Sequence, residues 1–365
     1  MENGHDKLTE QYRRNFHKIY HTHIFPILEK YEQERVKKVG LIVVIAIITA
    51  ILALGVFGCS AIQKNEEFGT MLIFVAVAIA GAGCFIIFAI RDHFVKNLKK
   101  SCLGHIIRVF GNLSWTSKLD LISDQEVYNS ELFDSYNRRT SDDSFTGEYK
   151  GVNFKICETH MWTEEGSGDN SRVIQVFHGV LVKFDFNKSI NSKTIIRTKG
   201  DAQITSASKW VIFTITSFFI FAILTGFKAP IWIILLVLGI VGVLFLFTKN
   251  TVGKSSMSEL KLEDPEFNKH YQAYSTDQVE GRYLITPAFM ERFKHIQTAF
   301  EADEAKCAFY DSHILFALST SKNLFEVGGL CHTLKDPKQM EEFFNELTSI
   351  MRLIDRFKLT EHTGL

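Results

Sequence analysis

The chain has 365 residues, 46% of them hydrophobic, with 41 Lys plus Arg balanced by 41 Asp plus Glu. That length holds one or two domains beyond any membrane part, and the balanced charge excludes the basic excess expected of a nucleic-acid binder. The six cysteines are scattered without the paired spacing of a disulfide framework, so reduced thiols facing the cytosol are expected.

Residues 1–38 read as an amphipathic helix. Leu8, Tyr12, Phe16, Tyr20 and Ile24 recur every four residues between charged side chains, which is the period of one helical face. That face suits either the soluble domain or the lipid interface. Pro26 is expected to bend or interrupt the helix.

Residues 39–90 form a first transmembrane hairpin, with spans Val39–Cys59 and Thr70–Ile90. Each run is about the ~20 residues needed to cross a hydrocarbon core. Basic side chains stay on the cytoplasmic side. Arg35, Lys37 and Lys38 precede the hairpin, Arg91, Lys96, Lys99 and Lys100 follow it, and its turn carries only Lys64. Both ends are therefore expected inside.

Residues 91–206 carry a linker helix and the first half of a cytosolic α+β domain. Phe94, Leu98, Cys102 and Ile106 continue a helical stripe. Ser123 and Glu126 have the spacing of a capping box, with a short helix expected through Tyr136. Alternating apolar residues then predict strands over Phe145–Glu158, Arg172–Phe186 and Lys193–Thr198.

Residues 207–250 form a second apolar hairpin, Trp210–Phe227 and Ile231–Thr248, turning at Lys228, Ala229 and Pro230. Residues 251–365 supply the second half of the cytosolic domain. Asp264-Pro265, Thr286-Pro287 and Asp336-Pro337 each set a capping side chain before a Pro, which predicts helices near 265–273, 287–300 and 337–357. Strands are expected at Gly281–Ile285, Ala305–Tyr310 and His313–Ser319, the last two joined by Asp311-Ser312. The fold class is thus a membrane protein with four transmembrane helices in two hairpins, plus a cytosolic α+β domain with a mostly antiparallel sheet.

Six blocks in order carry a resemblance. They are Phe145–Gly147 with Val152–Phe154, then Phe177–Lys188, Leu262–Phe267, Tyr274–Glu280, Tyr283–Arg292 and Ser321–Phe325. Together they resemble an uncharacterised bacterial membrane family, number 3137 in the domain-of-unknown-function series, from about Glu131 to Phe344. The resemblance implies an N-terminal membrane hairpin followed by a cytosolic domain, and it implies no activity, cofactor or catalytic residue. The apolar stretch 207–250 departs from the family's pattern, in which a soluble connector is expected.

Chemistry-bearing residues are sparse. His17 and His21 are four apart and could share a metal, but no acid or thiol nearby completes a ligand set, so a surface pair is the plainer reading. Cys157 with His160, and Cys331 with His332, are equally incomplete. No phosphate loop, serine elbow or zinc spacing occurs, and the spans lack the ionisable residues of a transport path. No catalytic residue, cofactor or metal is therefore expected. The predicted binding face is Leu262–Arg292, centred on Asp277, Gln278, Glu280 and Arg282. The expectation is a non-catalytic protein of the bacterial inner membrane, with both termini and the soluble domain cytosolic. Its partners would be the lipid bilayer and a protein partner or second copy of itself. The alternatives are an anchored enzyme, with a site joining residues such as Asp185, Asp277, Glu280 and Arg282, or a subunit of an oligomeric transporter.

Overall fold

Two long helices begin the architecture seen in a computed structural model, which describes residues 13–110, 112–117, 119–133, 135–166, 172–186, 189–199 and 257–357. Helix α1 (Arg13–Ile62) has 50 residues and α2 (Glu66–Ile106) has 41, and both are long and apolar enough to cross a membrane. Asn65 starts α2 by accepting hydrogen bonds from the N–H groups of Glu67 (3.1 Å) and Phe68 (3.3 Å). Pro26 does not end α1. A π-turn over Tyr20–Ile24, in which Phe25 N–H donates to the Tyr20 carbonyl, precedes it. The wider turn makes room for the ring, which would otherwise press on the carbonyl four residues back.

Nine strands follow. They are β1 (Leu113–Ser117), β2 (Arg138–Tyr149), β3 (Val152–Glu165), β4 (Arg172–Asp185), β5 (Thr194–Thr198), β6 (Ser258–Leu260), β7 (Tyr271–Ser275), β8 (Glu304–Tyr310) and β9 (His313–Ser319). Their order in one sheet is β1-β2-β3-β4-β9-β8-β5-β7-β6. The pairings from β3 through β9 to β6 are antiparallel. The helices between them are α3 (Asp124–Ser130), α4 (Phe267–His270), α5 (Gln278–Leu284), α6 (Pro287–Lys294), α7 (Ile296–Phe300) and α8 (Lys338–Arg356). A hairpin of long apolar helices and an antiparallel sheet are as expected. The second hairpin, 207–250, lies outside the described residues.

Several local expectations are corrected. The single strand over Phe145–Glu158 is two strands, broken at Lys150-Gly151, where φ is 51° and 81°. The short helix expected through Tyr136 stops at Ser130, because Glu131 takes a left-handed φ of 52° that ends it. Its capping box is formed as expected. The helix expected at 265–273 is only α4, and the chain then extends as β7 to pair with β5. The strand expected at Gly281–Ile285 is part of α5. A Cβ at Gly281 would lie 2.6 Å from Leu260 Cδ1 and 2.8 Å from Ser275 Cβ, so the glycine is there for close packing, not for extended backbone.

The chain divides into two compact units. The first holds Met1–Thr116, Phe145–Tyr149 and Lys322–Leu353, and the second holds Ser117–Ser144, Lys150–Ser321 and Ile354–Leu365. In the first unit the α1 stripe Phe16, Tyr20, Ile24 and Leu28 is buried, together with Phe94, Leu98 and Leu103 of α2. Phe344 of α8 stacks on Phe16 at 4.5 Å and on Phe110 at 5.4 Å. In the second unit, one sheet face buries Leu181, Ile195 and Leu315 under Ile122, Val127 and Leu132. The other face carries Phe309 and Phe316, which meet Phe289 and Phe293 of α6 at 5.4 and 6.3 Å. Alternation along the strands sends successive residues to these two aromatic-rich faces.

Candidate functional site

The four residues expected to form a binding face sit at the start of α5, in the second unit. Asp277 is the N-cap, accepting from the N–H groups of Val279 (2.7 Å) and Glu280 (3.1 Å). Glu280 accepts from the backbone N–H groups of Asn191 (3.1 Å) and Ser192 (2.7 Å), holding the loop before β5. Gln278 donates to Ser258 Oγ at 2.6 Å, tying α5 to β6. Arg282 is exposed beside Val279 and Tyr283. Three of the four side chains thus hold scaffold, and Arg282 with its apolar neighbours is what the helix presents outward. Asp185, considered for a distributed site, pairs instead with Asn153 (3.0 Å) and His313 (3.4 Å).

A buried polar cluster lies elsewhere in the same unit. Arg139 of β2 is only 3% exposed at its side chain. Its guanidinium donates to Thr159 Oγ1 (2.9 Å), the Ile122 carbonyl (2.8 Å) and Asp124 (3.0 Å), with Asp120 at 3.5 Å. Cys157 Sγ is 3.7 Å from this guanidinium and 3.1 Å from Ser144 Oγ. Burial disfavours the Arg139 charge, but the bond to Asp124 and the field of Asp120 outweigh it and raise the pKa. A charge so buried costs several kcal/mol unless paired and hydrogen-bonded, and here its bonds fasten loop 119–124 onto the sheet. The Cys157 thiol is fully buried, so the arrangement clamps structure and offers no accessible nucleophile.

The histidine pairs resolve differently. His17 and His21 are exposed on α1, while His23 stacks on His105 with ring centroids 5.4 Å apart. Cys157 and His160 point to opposite faces of β3. His160 meets His178 at 5.2 Å and Trp162 at 4.9 Å, and burial followed by the His178 field lowers its pKa. Cys331 and His332 are exposed in a loop. None of these pairs gathers the three or four ligands of a zinc site.

The first unit carries a grip on the helical hairpin. Glu32 makes a two-point ion pair with Arg35 (2.9 and 2.8 Å) and accepts from the Leu334 N–H at 2.9 Å. Arg35 in turn donates to the Leu330 carbonyl at 3.0 Å. On α2, Lys99 meets Glu326 at 3.2 Å, and Tyr31 of α1 bonds Ser101 at 2.9 Å. The Arg35 bond, opposed by burial and aided by the Leu334 N–H, pulls the Glu32 carboxyl down to about 2. Val327, Leu330 and Leu334 are buried in the gripped segment. Gly328 there has φ +140°, and a Cβ on it would sit 2.6 Å from Leu334 Cδ2.

A family model described as "Protein of unknown function (DUF3137)" matches residues 175–359, just over half of the chain. The chain belongs to this family. The DUF3137 match begins within β4 and ends just past α8, so five of the six blocks that suggested the family lie inside it and Phe145–Phe154 lies before it. No curated protein matches the chain. The crystal structure of the mycobacterial trehalose monomycolate transport factor A, TtfA, is similar at 11% identity and a TM-score of 0.31, over 68% of this chain and 88% of that one. So loose a likeness transfers neither fold nor role.

Within this DUF3137 protein, two groupings were not foreseen from sequence. Arg35 and Lys99 have the sequence positions of charges that orient a membrane hairpin, and both also hold residues 326–334. For Arg139 the sequence signal is the period-two spacing from Arg139 to Ser141 and from Cys157 to Thr159, which repeats polar positions on strand faces. What sequence could not supply is the loop 119–124 that completes the cluster.

Proposed function

We propose that this protein is a non-catalytic membrane-anchored module that presents a cytosolic α+β domain, which binds a partner or ligand. The observation that carries this reading is the change of surroundings along α1 and α2. From Leu41 to Phe57 and from Met71 to Phe88 the large apolar side chains point outward, with Phe74 70% and Phe85 73% exposed. A core helix of a soluble protein would bury them. Beyond that band the same helices are buried and gripped through Glu32, Arg35 and Lys99. A helix of 41 residues spans about 60 Å, twice the ~30 Å hydrocarbon core, so a stalk must project from the membrane. The basic residues flanking the spans favour a cytosolic stalk.

Residues 207–250 add a second hairpin in this reading and pin the domain to the bilayer at its middle. Antiparallel pairing of β5, before that stretch, with β7 and β8 after it supports one domain interrupted by a membrane excursion. The setting is the bacterial inner membrane, and the partner is a protein or a second copy of this chain. Topology tests the reading most directly. A reporter inserted at Asn65 should be external and one fused at Leu365 cytosolic, and a Lys228→Cys variant on a Cys59→Ser background should react with an impermeant maleimide from outside. A cytosolic signal from Asn65 would overturn the orientation.

A further inference from the structure

A recess of about 280 Å³ opens on the first unit, lined by Asn15, Lys18, Ile19, Thr22, His23 and Arg108. Two of these side chains are permanently cationic, and among the described residues no carboxylate lines it. His23 is backed by His105 from the end of α2, the two rings nearly parallel at 9°. Burial first, and then the nearby Arg108 and His23, push the His105 pKa below its ordinary value. Among the described residues these cationic groups therefore share the recess without a carboxylate in its lining. Thr22 spends its hydroxyl proton on the Lys18 carbonyl at 2.7 Å, which leaves the Lys18 ammonium, the Arg108 guanidinium, an imidazole N–H and the Asn15 amide as donors toward the opening.

We infer that this recess binds a small soluble phosphate-bearing anion. An Arg and a Lys lining one recess suit a phosphate group. At neutral pH a phosphomonoester carries close to two negative charges, which suits a recess lined by two permanent cations. Distance selects between a lipid headgroup and a soluble ligand. His23 precedes Val39 by 16 residues and His105 follows Ile90 by 15, or about 22–24 Å along either helix. The headgroup layer adds only roughly 5–8 Å to each side of the hydrocarbon core. The recess therefore lies beyond the reach of headgroups. That choice rests on the anchored reading, whereas the anion site itself does not.

The test uses the full chain, ring-labelled at histidine, in phosphatidylcholine nanodiscs. Inorganic phosphate, but not chloride at equal ionic strength, should shift the His23 and His105 resonances saturably. The Lys18→Gln, Arg108→Gln double variant should bind roughly tenfold more weakly with an unchanged melting temperature. Absence of a saturable shift, or an equal shift in the double variant, overturns the site. A shift that appears only when phosphatidic acid is doped into the discs overturns the soluble ligand. Flotation of the chain with vesicles reads the anchor separately, because phosphate binding does not require a bilayer.

Discussion

The two ends of the helical hairpin are made from the same kinds of side chain and use them in opposite ways. In the band near the Gln63–Asn65 turn, Leu54, Phe74, Val77, Phe85 and Phe88 are exposed. Less than two turns past Phe88, Phe94 is buried, followed by Leu98, Cys102, Leu103 and Ile106. Apolarity runs all round the helix in the band and is confined to one stripe beyond it. Phe16, Tyr20, Ile24 and Leu28 form the matching stripe on α1, and protein covers it. The lesson is that an apolar residue in this hairpin contributes to folding according to what surrounds it, not according to its type.

The largest expected effect tests that contrast directly. Phe94→Ala should destabilise the chain by about 3–5 kcal/mol, because it leaves a cavity among protein atoms. Phe85→Ala should change stability by less than about 1 kcal/mol, since lipid or detergent chains refill the space. Equilibrium unfolding of both variants in the same detergent reads the difference. Equal losses would mean that the outward band is covered by protein after all.

The band does contain one point of tight contact, which sharpens the comparison. A Cβ at Gly83 of α2 would come within 2.4 Å of Thr49 Cγ2 on α1, so the helices meet there without intervening side-chain bulk. Gly83→Leu should therefore cost about 1–3 kcal/mol by overpacking. Gly81→Leu, where a Cβ meets nothing within 4 Å, should be tolerated. The reverse ranking in a detergent unfolding series would place the helix contact elsewhere.

Much of this was legible in the sequence, and the failures have a common cause. The two N-terminal spans, the Ser123 capping box, the Asp311-Ser312 hairpin and the Thr286-Pro287 helix start were readable because each is set by residues within a few positions of one another. Gly281–Ile285 is helical where a strand is expected, because the place of Gly281 is set by Leu260 and Ser275 on the neighbouring strands. Glu280, in the expected binding face, is likewise placed by contacts distant in sequence. Glu280 looks like a free surface charge until Asn191 and Ser192 are brought to it across most of the second unit. The cationic recess was invisible because His23 and Lys18 meet Arg108 only once α1 and α2 pack together.

Two carboxylates in the gripped end of the hairpin unit should give opposite pH slopes. Glu346 of α8 accepts from the N–H of Phe325, a fully buried residue at φ 56°. Burial outweighs that bond and raises the Glu346 carboxyl to about 7. A carboxyl raised in the folded state adds stability below its unfolded value of 4.5 and loses it as pH climbs through about 7. Glu32, lowered to about 2, adds stability above 4.5 and loses it as pH falls toward 2. Each contribution is on the order of 1–2 kcal/mol after allowance for partial solvation. Thermal unfolding across pH should show Glu346→Gln flattening the neutral side and Glu32→Gln flattening the acid side. Wild type and both variants tracing parallel curves would remove both groups from the account.

The smallest expected effects carry the contrast from apolar to charged side chains, at α5. Asp277 and Arg282 were grouped as one binding face, yet Asp277 closes two backbone N–H groups and Arg282 extends into solvent beside Val279 and Tyr283. Asp277→Ala removes an N-cap and should cost about 1 kcal/mol. Arg282→Ala should stay within about 0.5 kcal/mol of wild type, as exposed charges do. Glu280→Ala, which frees two N–H groups of the loop before β5, should resemble Asp277→Ala. If α5 also serves as a contact surface, the loss of partner capture should follow Arg282, Val279 and Tyr283 and not the residues that hold the turn. Capture that instead fails in step with thermal stability across the three alanine variants would make α5 scaffold throughout, and the partner's contact would then have to lie on another part of the protein.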